Sequence, residues 1–205
     1  MTADPDKSGG RVRIVNEEVL ADDWARLTKY RIAITGTDGA VEEHVRQVYD
    51  RGNGAVILPV DRSRGTVLLV RQFRMPVFLN PRHAADREGM LIEACAGLLD
   101  ENDPETAIRK EAEEELGYRL GGIERLFDVY MSPGSVSERL TFFIADYSPV
   151  DRISAGGGAA HEGEDIEVME VPLDEALAMI ERGEICDAKT IILLQHAQRM
   201  KAAGP

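Results

Sequence analysis

The sequence predicts an α/β chain, with strands through its first half and helices interleaved with strands in its second. Three observations predict it. Apolar runs of strand length recur between clusters of Asp, Gly and Asn. The stretch from Asp103 to Gly117 carries the start and stop signals of a helix, and two further helical patterns occupy the last thirty or so residues.

Taken in order, the first ten residues are polar, contain Pro5, Gly9 and Gly10, and read as a loose tail. Val12 to Leu20, Leu27 to Ile34 and Val41 to Val48 read as three strands parted by turns such as Gly36-Thr-Asp-Gly39, an N-terminal antiparallel layer spanning roughly residues 11–50. Ala55–Val60 and Thr66–Phe73 follow as a hairpin across Asp61–Gly65, apolar enough to be buried on both faces. Residues 76–88 mix Pro, Arg, His and Asp and read as a loop; Met90–Ala96 reads as one strand. In the next helix Asp103 suits the N-cap and Pro104 the first turn. Ile108, Ala112 and Leu116 recur one turn apart, and Gly117 can end the helix in a left-handed conformation. Strands are expected around 124–130, 139–147 and 166–171, with a loop rich in Gly and Glu, Gly156 to Glu164, before the last. Helices are expected over 173–182, between Pro172 and Gly183, and from about 188 to 200.

Composition excludes several classes of function. The chain has 205 residues, 24 Lys+Arg against 37 Asp+Glu, and a net charge of −13. An acidic chain without a dense basic stripe lacks the cations that nucleic-acid binding requires, so no nucleic-acid partner is expected. No apolar run approaches the roughly 18 residues that span a bilayer, and Met1–Lys7 lacks the apolar segment of a signal peptide, so no membrane association is expected and a cytoplasmic location is. Cys95 and Cys186 stand alone, outside any Cys-x-x-Cys pair, and read as reduced packing residues. His44, His83, His161 and His196 show no metal-ligand spacing.

The acidic helix is the candidate chemical feature. Glu111 and Glu115 are four residues apart, on one helical face, with Glu114 beside them. Like charges at that spacing repel unless a cation lies between them. Carboxylate oxygens on a rigid face suit a hard divalent cation such as Mg²⁺. By spacing alone a solvated acidic face is the favoured reading, since runs of charge usually face solvent.

The flanking residues carry a resemblance. Gly97, five residues, Asp103, six residues, then Lys110-Glu-Ala-Glu-Glu-Glu-Leu-Gly-Tyr118 resembles the Nudix box, with Asp103 for the usual Glu, Lys110 for the usual Arg, and one residue fewer before the helix. The shortening leaves Glu111, Glu114 and Glu115 in register. The pair Asp103–Lys110 would replace a Glu–Arg link without its bidentate fork. Beyond the box, Tyr49–Ala55, Arg71–Arg74, Glu93–Asp100, Tyr130–Gly134 and Gly156–Gly158 with Glu164–Val168 resemble the branch of the Nudix superfamily that contains the bacterial GDP-mannose and ADP-ribose pyrophosphatases; Pro133, sixteen residues after Gly117, belongs to this tier.

The resemblance implies a Nudix fold, an α/β/α sandwich with a mixed sheet over residues 51–200, and an N-terminal β region over 11–50 that serves dimerisation. It implies Mg²⁺, with Mn²⁺ as a substitute, held by the Ala96 carbonyl, Glu111, Glu114, Glu115 and Glu164. Glu164 or Glu162, with Glu115, would carry catalysis, although both loop residues also fit an ordinary acidic surface. Trp24, Arg46, Arg74, Ala96, Gly97, Leu98, Glu138 and Lys189 are implied as substrate contacts; for Trp24 the alternative is a core residue of the N-terminal sheet, and for each Arg an ordinary surface position. The implied reaction is hydrolysis of a nucleoside diphosphate sugar by a homodimer, with GDP-mannose first and ADP-ribose second. A non-catalytic nucleotide sensor would be expected to have lost the box carboxylates, and hydrolysis of RNA caps or mutagenic nucleotides fits poorly with Ser132–Gly134 and the N-terminal region.

Overall fold

The computed structural model describes residues 10–82, 88–158 and 165–203. The chain forms two units.

The first unit comprises the chain up to Asn53 together with Tyr130–Arg139. Its core is a three-stranded antiparallel sheet in chain order, β1 (Val12–Asp22), β2 (Arg26–Thr35) and β3 (Val41–Asp50). The Gly36–Gly39 turn closes as its residues predict: Asp38 Oδ1 accepts the Ala40 N–H at 3.0 Å, and Gly39 takes φ 81°, where a side chain is disfavoured. Two register shifts bend β1, at Ile14/Asn16 and Val19/Ala21. The segment Ser135–Ser137 runs beside β3, the Tyr49 N–H donating to Ser135 O at 2.8 Å and the Ser137 N–H to Tyr49 O at 3.1 Å.

The second unit holds a seven-stranded sheet. β10 (Glu167–Pro172), β5 (Thr66–Phe73), β4 (Gly54–Asp61), β9 (Arg139–Asp146) and β8 (Ile123–Tyr130) lie in that order, β6 (Met90–Glu93) pairs with β5, and β7 (Cys95–Leu98) pairs with β4. β4 runs parallel to β9 and antiparallel to β5 and β7, so the sheet is mixed. All eight residues of β4 are buried, as its unbroken apolar run predicts. Ala55 and Ile57 pack with Ile108, Ala112 and Leu116 of the box helix. The alternating Val56 and Leu58 point to the other face, where α4 (Ala188–Ala203), which follows α3 (Leu173–Glu181), lies against β4 and buries Leu193, Leu194 and Ala197. Helices thus cover both faces, as the α/β/α expectation has it.

Two expected elements differ. The stretch read as a loop after β5 begins with a one-turn helix, α1 (Met75–Leu79), whose Pro76 sits in the first turn where its missing N–H costs nothing. Met90–Ala96 is two strands rather than one. β4 and β5 pair only through Val60–Asp61 and diverge beyond it, so the chain follows β5 as β6 and then crosses to β4 as β7. At the crossing the Ala94 N–H leaves the ladder and donates to Thr190 Oγ1 at 2.7 Å.

The box helix begins as α2 (Pro104–Glu111) and ends as a π-wound turn, Ala112–Leu116. Asp103 is its N-cap, accepting the Glu105 and Thr106 N–H groups at 3.1 Å each and the Thr106 hydroxyl at 2.6 Å. The Thr106 hydroxyl, then its N–H, holds the Asp103 carboxyl below the usual carboxylate range. A carboxyl depressed on folding contributes stability above its unfolded pKa of about 3.9 and loses it as pH falls through the folded value. Asp103→Ala should therefore lower Tm at pH 7, with the difference from the parent chain shrinking at pH values below about 4, as thermal melts across pH will read.

Candidate active site

The π-wound turn decides how the box carboxylates stand. A turn closed by i→i+5 bonds takes more residues than an α turn, which brings side chains four apart closer to eclipse than the i, i+4 offset of an α-helix. Glu111 is the residue preceding that turn and Glu115 lies within it. The turn packs against β5 and β7. Glu115 is 2% exposed and its Oε2 is shut off from solvent. Gly117, in the left-handed conformation at φ 76°, ends the turn by donating its N–H to Ala112 O.

Gly97 has a steric reason to be glycine. A Cβ built on it would fall within the Glu111 side chain, 2.5 Å from Cγ and closer still to the carboxylate. The Glu111 carboxylate therefore lies directly on β7, next to Ala96, the residue paired with Val56. The carboxylates of Glu111 and Glu115 and the main-chain carbonyl of Ala96 are all oxygen donors, the chemistry a hard divalent cation takes. At Glu115's depth a carboxylate is costly unless neutralised, which such a cation would do. The residues present fit a divalent cation. Gly97→Ala should displace Glu111 and weaken cation affinity by about 10- to 100-fold with the fold retained, a range typical of losses beside a metal ligand; Mn²⁺ titration followed by electron paramagnetic resonance will read it.

Glu114 is placed differently. It is exposed, with its carboxylate 3.5 Å from Lys110 Nζ. Among the described residues no three His, Cys, Asp or Glu side chains converge as a metal set. With Asp103 spent on the N-cap and Lys110 beside Glu114, the pairing considered from the sequence is replaced by two local ones. Arg109 ties the helix down instead, pairing with Glu105 at 2.7 Å and donating to Leu120 O at 2.8 Å. Glu162 and Glu164 lie outside the described residues.

The two cations expected to meet substrate in this unit, Arg74 and Lys189, are brought together on one buried carboxylate. Glu93, 3% exposed, accepts Lys189 Nζ on Oε1 at 2.6 Å and Arg74 Nε on Oε2 at 2.7 Å. Lys189 is itself 9% exposed and also lies 3.1 Å from Asp187. Asp187 precedes α4, and its Oδ2 accepts the Thr190 N–H at 3.0 Å and the Thr190 hydroxyl at 2.5 Å. The start of α4 therefore grips the β6–β7 crossing twice, at Glu93 and at Ala94. That grip fixes the strand bearing Ala96, Gly97 and Leu98. Arg74 donates its Nε–H to Glu93 and remains partly exposed.

In the first unit Trp24, Arg51 and Glu138 form a chain of contacts. Glu138 Oε1 accepts Arg51 Nε at 2.8 Å and Nη2 at 2.6 Å, and the Arg51 guanidinium lies 5.8 Å from the Trp24 ring centroid, in cation–π range. Trp24 is 69% exposed, which corrects the alternative of a core residue: it sits in the β1–β2 connection, beyond the sheet. Arg46 is exposed on β3 and donates to Val45 O.

Residues 50–194 match the NUDIX domain model, and residues 11–49 match the model described as the GDP-mannose pyrophosphatase NudK N-terminal domain. The chain belongs to the Nudix family. A GDP-mannose pyrophosphatase of Pectobacterium atrosepticum is 52% identical over 186 residues, 91% of this chain and 93% of that one. A GDP-mannose pyrophosphatase of Citrobacter koseri is 50% identical over 186 residues, 91% and 94% of the two chains. A solved structure described as an ADP compounds hydrolase superposes with a TM-score of 0.68 over 97% of this chain and 98% of that one, at 18% identity, a likeness of fold.

For this Nudix chain, sequence reasoning passed over Glu93, Asp187 and Thr190 in the second unit and Arg51 in the first. Glu93 carried a usable signal, a lone carboxylate inside the apolar strand Met90–Ala96, since a charge there must find a partner. Arg51, in a polar turn, carried none. Nudix hydrolases use a divalent metal, and the oxygen donors at the box are consistent with that.

Proposed function

We propose that the protein hydrolyses the pyrophosphate of a nucleoside diphosphate sugar, with GDP-mannose giving GMP and mannose 1-phosphate. The observation that carries this reading is identity near one half, along nine tenths of the chain, to GDP-mannose pyrophosphatases. The metal is Mg²⁺, replaceable by Mn²⁺, and Glu111, Glu115 and the Ala96 carbonyl hold it, with Glu114 and Glu164 as further carboxylates. Bound there, the cation neutralises charge on the diphosphate oxygens.

The chain's own residues do the rest. Glu164 accepts the proton of the attacking water, with Glu162 the second candidate for that role. Water oxygen bonds to one phosphorus, the bridging P–O bond breaks, and the bridging oxygen departs on the other phosphate. Arg74 presents N–H donors to a phosphate, a task its fork suits, and Glu93 sets its orientation together with that of Lys189. Trp24, Arg46 and Glu138 contact the nucleotide sugar, and main-chain groups of Ala96, Gly97 and Leu98 line the substrate path along β7.

The working form is a homodimer, located in the cytoplasm, with the N-terminal sheet as interface. Val12, Ile14 and Val19 share one face of that sheet with Ile32, Ile34 and Val48, and the first three are between 38% and 48% exposed in the single chain. Light scattering should give twice the monomer mass.

The deciding assay compares GDP-mannose and ADP-ribose, with Mg²⁺ and with chelator, reading phosphomonoesters released by an added phosphatase. The expected result is a higher kcat/KM for GDP-mannose, abolished by chelator. Preference for ADP-ribose would reassign the substrate. No turnover of either would overturn the enzymatic reading and favour a nucleotide sensor, despite the retained Glu111, Glu114 and Glu115.

A further inference from the structure

We propose that Gly156 is a positioning residue for the divalent-cation site, acting through the main chain of Glu115. The inference rests on the metal reading above and deepens it.

The segment Asp151–Gly158 is laid along the end of the box helix. The Arg119 N–H donates to Asp151 O at 2.9 Å, the Ile153 and Ser154 N–H groups to Gly117 O at 2.8 and 3.2 Å, the Gly157 N–H to Glu115 O at 2.9 Å and the Gly158 N–H to Glu114 O at 3.1 Å. A helix leaves its last carbonyls without intrahelical partners. Here those of Glu114 and Glu115, the residues of the carboxylate face, are satisfied by two consecutive glycines.

Gly156 is where this contact closes. It adopts φ 71°, and a Cβ on it would overlap the Glu115 carbonyl oxygen and lie 2.6 Å from the Leu116 carbonyl carbon. From the other side, a Cβ on Gly117 would lie 2.6 Å from Gly156 N and from Ser154 O. Main chain meets main chain on both sides, so no side chain can be absorbed by a rotamer change. The Glu115 peptide is thus held from behind while its carboxylate projects from the same residue. A Cβ at Gly156 must push the π-wound turn, and the Glu115 carboxylate moves with it. Gly157 extends the connection: its N–H holds Glu115 O, and its own carbonyl accepts the Ile166 N–H at 3.2 Å.

Gly183 separates this role from an ordinary helix-ending glycine. It also ends a helix with positive φ, 75°, but a Cβ there would meet nothing within 4 Å. Asn tolerates the left-handed conformation. At Gly183, Asn should recover most of the stability that Ala loses. At Gly156, Ala and Asn should fail alike, because the obstacle is the Glu115 carbonyl rather than φ.

The test is Mn²⁺ binding, read by electron paramagnetic resonance on the full chain at a temperature where circular dichroism shows each variant folded. Gly156→Ala and Gly156→Asn should raise the Mn²⁺ Kd by about 10- to 100-fold, the range for residues that orient metal ligands. Gly183→Ala should leave it unchanged while lowering Tm. Folded Gly156 variants that bind Mn²⁺ like the parent chain overturn this inference alone. A parent chain that binds no Mn²⁺ overturns the metal reading and the inference with it. Should the Gly156 variants fail to fold, amide exchange of Gly157 and Gly158 in the unsubstituted protein decides: Mg²⁺ should slow both at least about tenfold, and unchanged exchange overturns the proposal.

Discussion

Glu115→Gln is expected to lower kcat/KM for GDP-mannose by about 1,000-fold while the protein remains folded. A thousandfold corresponds to about 4 kcal/mol of lost transition-state stabilisation, the scale on which metal-based charge neutralisation operates. The substitution keeps shape and removes one charge from a side chain only 2% exposed. With one anionic oxygen donor gone, the melt of the variant should not respond to Mg²⁺. The parent chain, by contrast, should gain about 2.7 kcal/mol when Mg²⁺ reaches 100 times its Kd, since a ligand that binds only the native state stabilises it by mass action. Melts with and without Mg²⁺ should therefore part for the parent chain and coincide for Glu115→Gln. Near-normal turnover in the variant would refute Glu115 as a metal-holding residue.

Glu93→Ala is expected to destabilise the fold by about 3–5 kcal/mol, the cost of breaking a buried ion pair from one side. Glu93 accepts Lys189 at 2.6 Å and Arg74 at 2.7 Å, and Lys189 stays buried when its carboxylate is gone. Glu93→Gln keeps two polar atoms and should cost less. Glu93→Leu combined with Lys189→Met should also cost less than Glu93→Ala, because the two charges leave together. Urea unfolding will order the variants. A loss below 1 kcal/mol for Glu93→Ala would show that the cluster does not anchor the β6–β7 crossing. In variants that remain folded, kcat/KM should fall as well, since Arg74 and the start of α4 lose their common anchor.

Much of this protein was legible from local sequence because the signals were local. The N-cap at Asp103, the left-handed stop at Gly117, the turn at Gly36–Gly39 and the buried run of β4 follow from dihedral preference, capping and apolar pattern within a few residues. The carboxylate face was legible for the same reason: Glu111 and Glu115 are four apart on a helix whose ends are marked. What depended on distant partners was not. Met90–Ala96 has the composition of one strand; it became two because β4 and β5 diverge and Thr190, ninety-six residues on, takes the Ala94 N–H. Arg74 and Lys189 read as cations for substrate, yet their first commitment is to Glu93, which becomes a partner only when α4 packs against the sheet. The π-wound turn leaves no mark in the string Ala112–Leu116, and no pattern announces that Gly156 must yield to the carbonyl of Glu115. The sequence by itself determined the fold class, through apolar pattern and turn residues, and the family, through the resemblance of residues 97–118 to the Nudix box. Only the tertiary structure decided which residues hold the box carboxylates in place, because burial and long-range hydrogen bonds exist only once the chain has closed on itself.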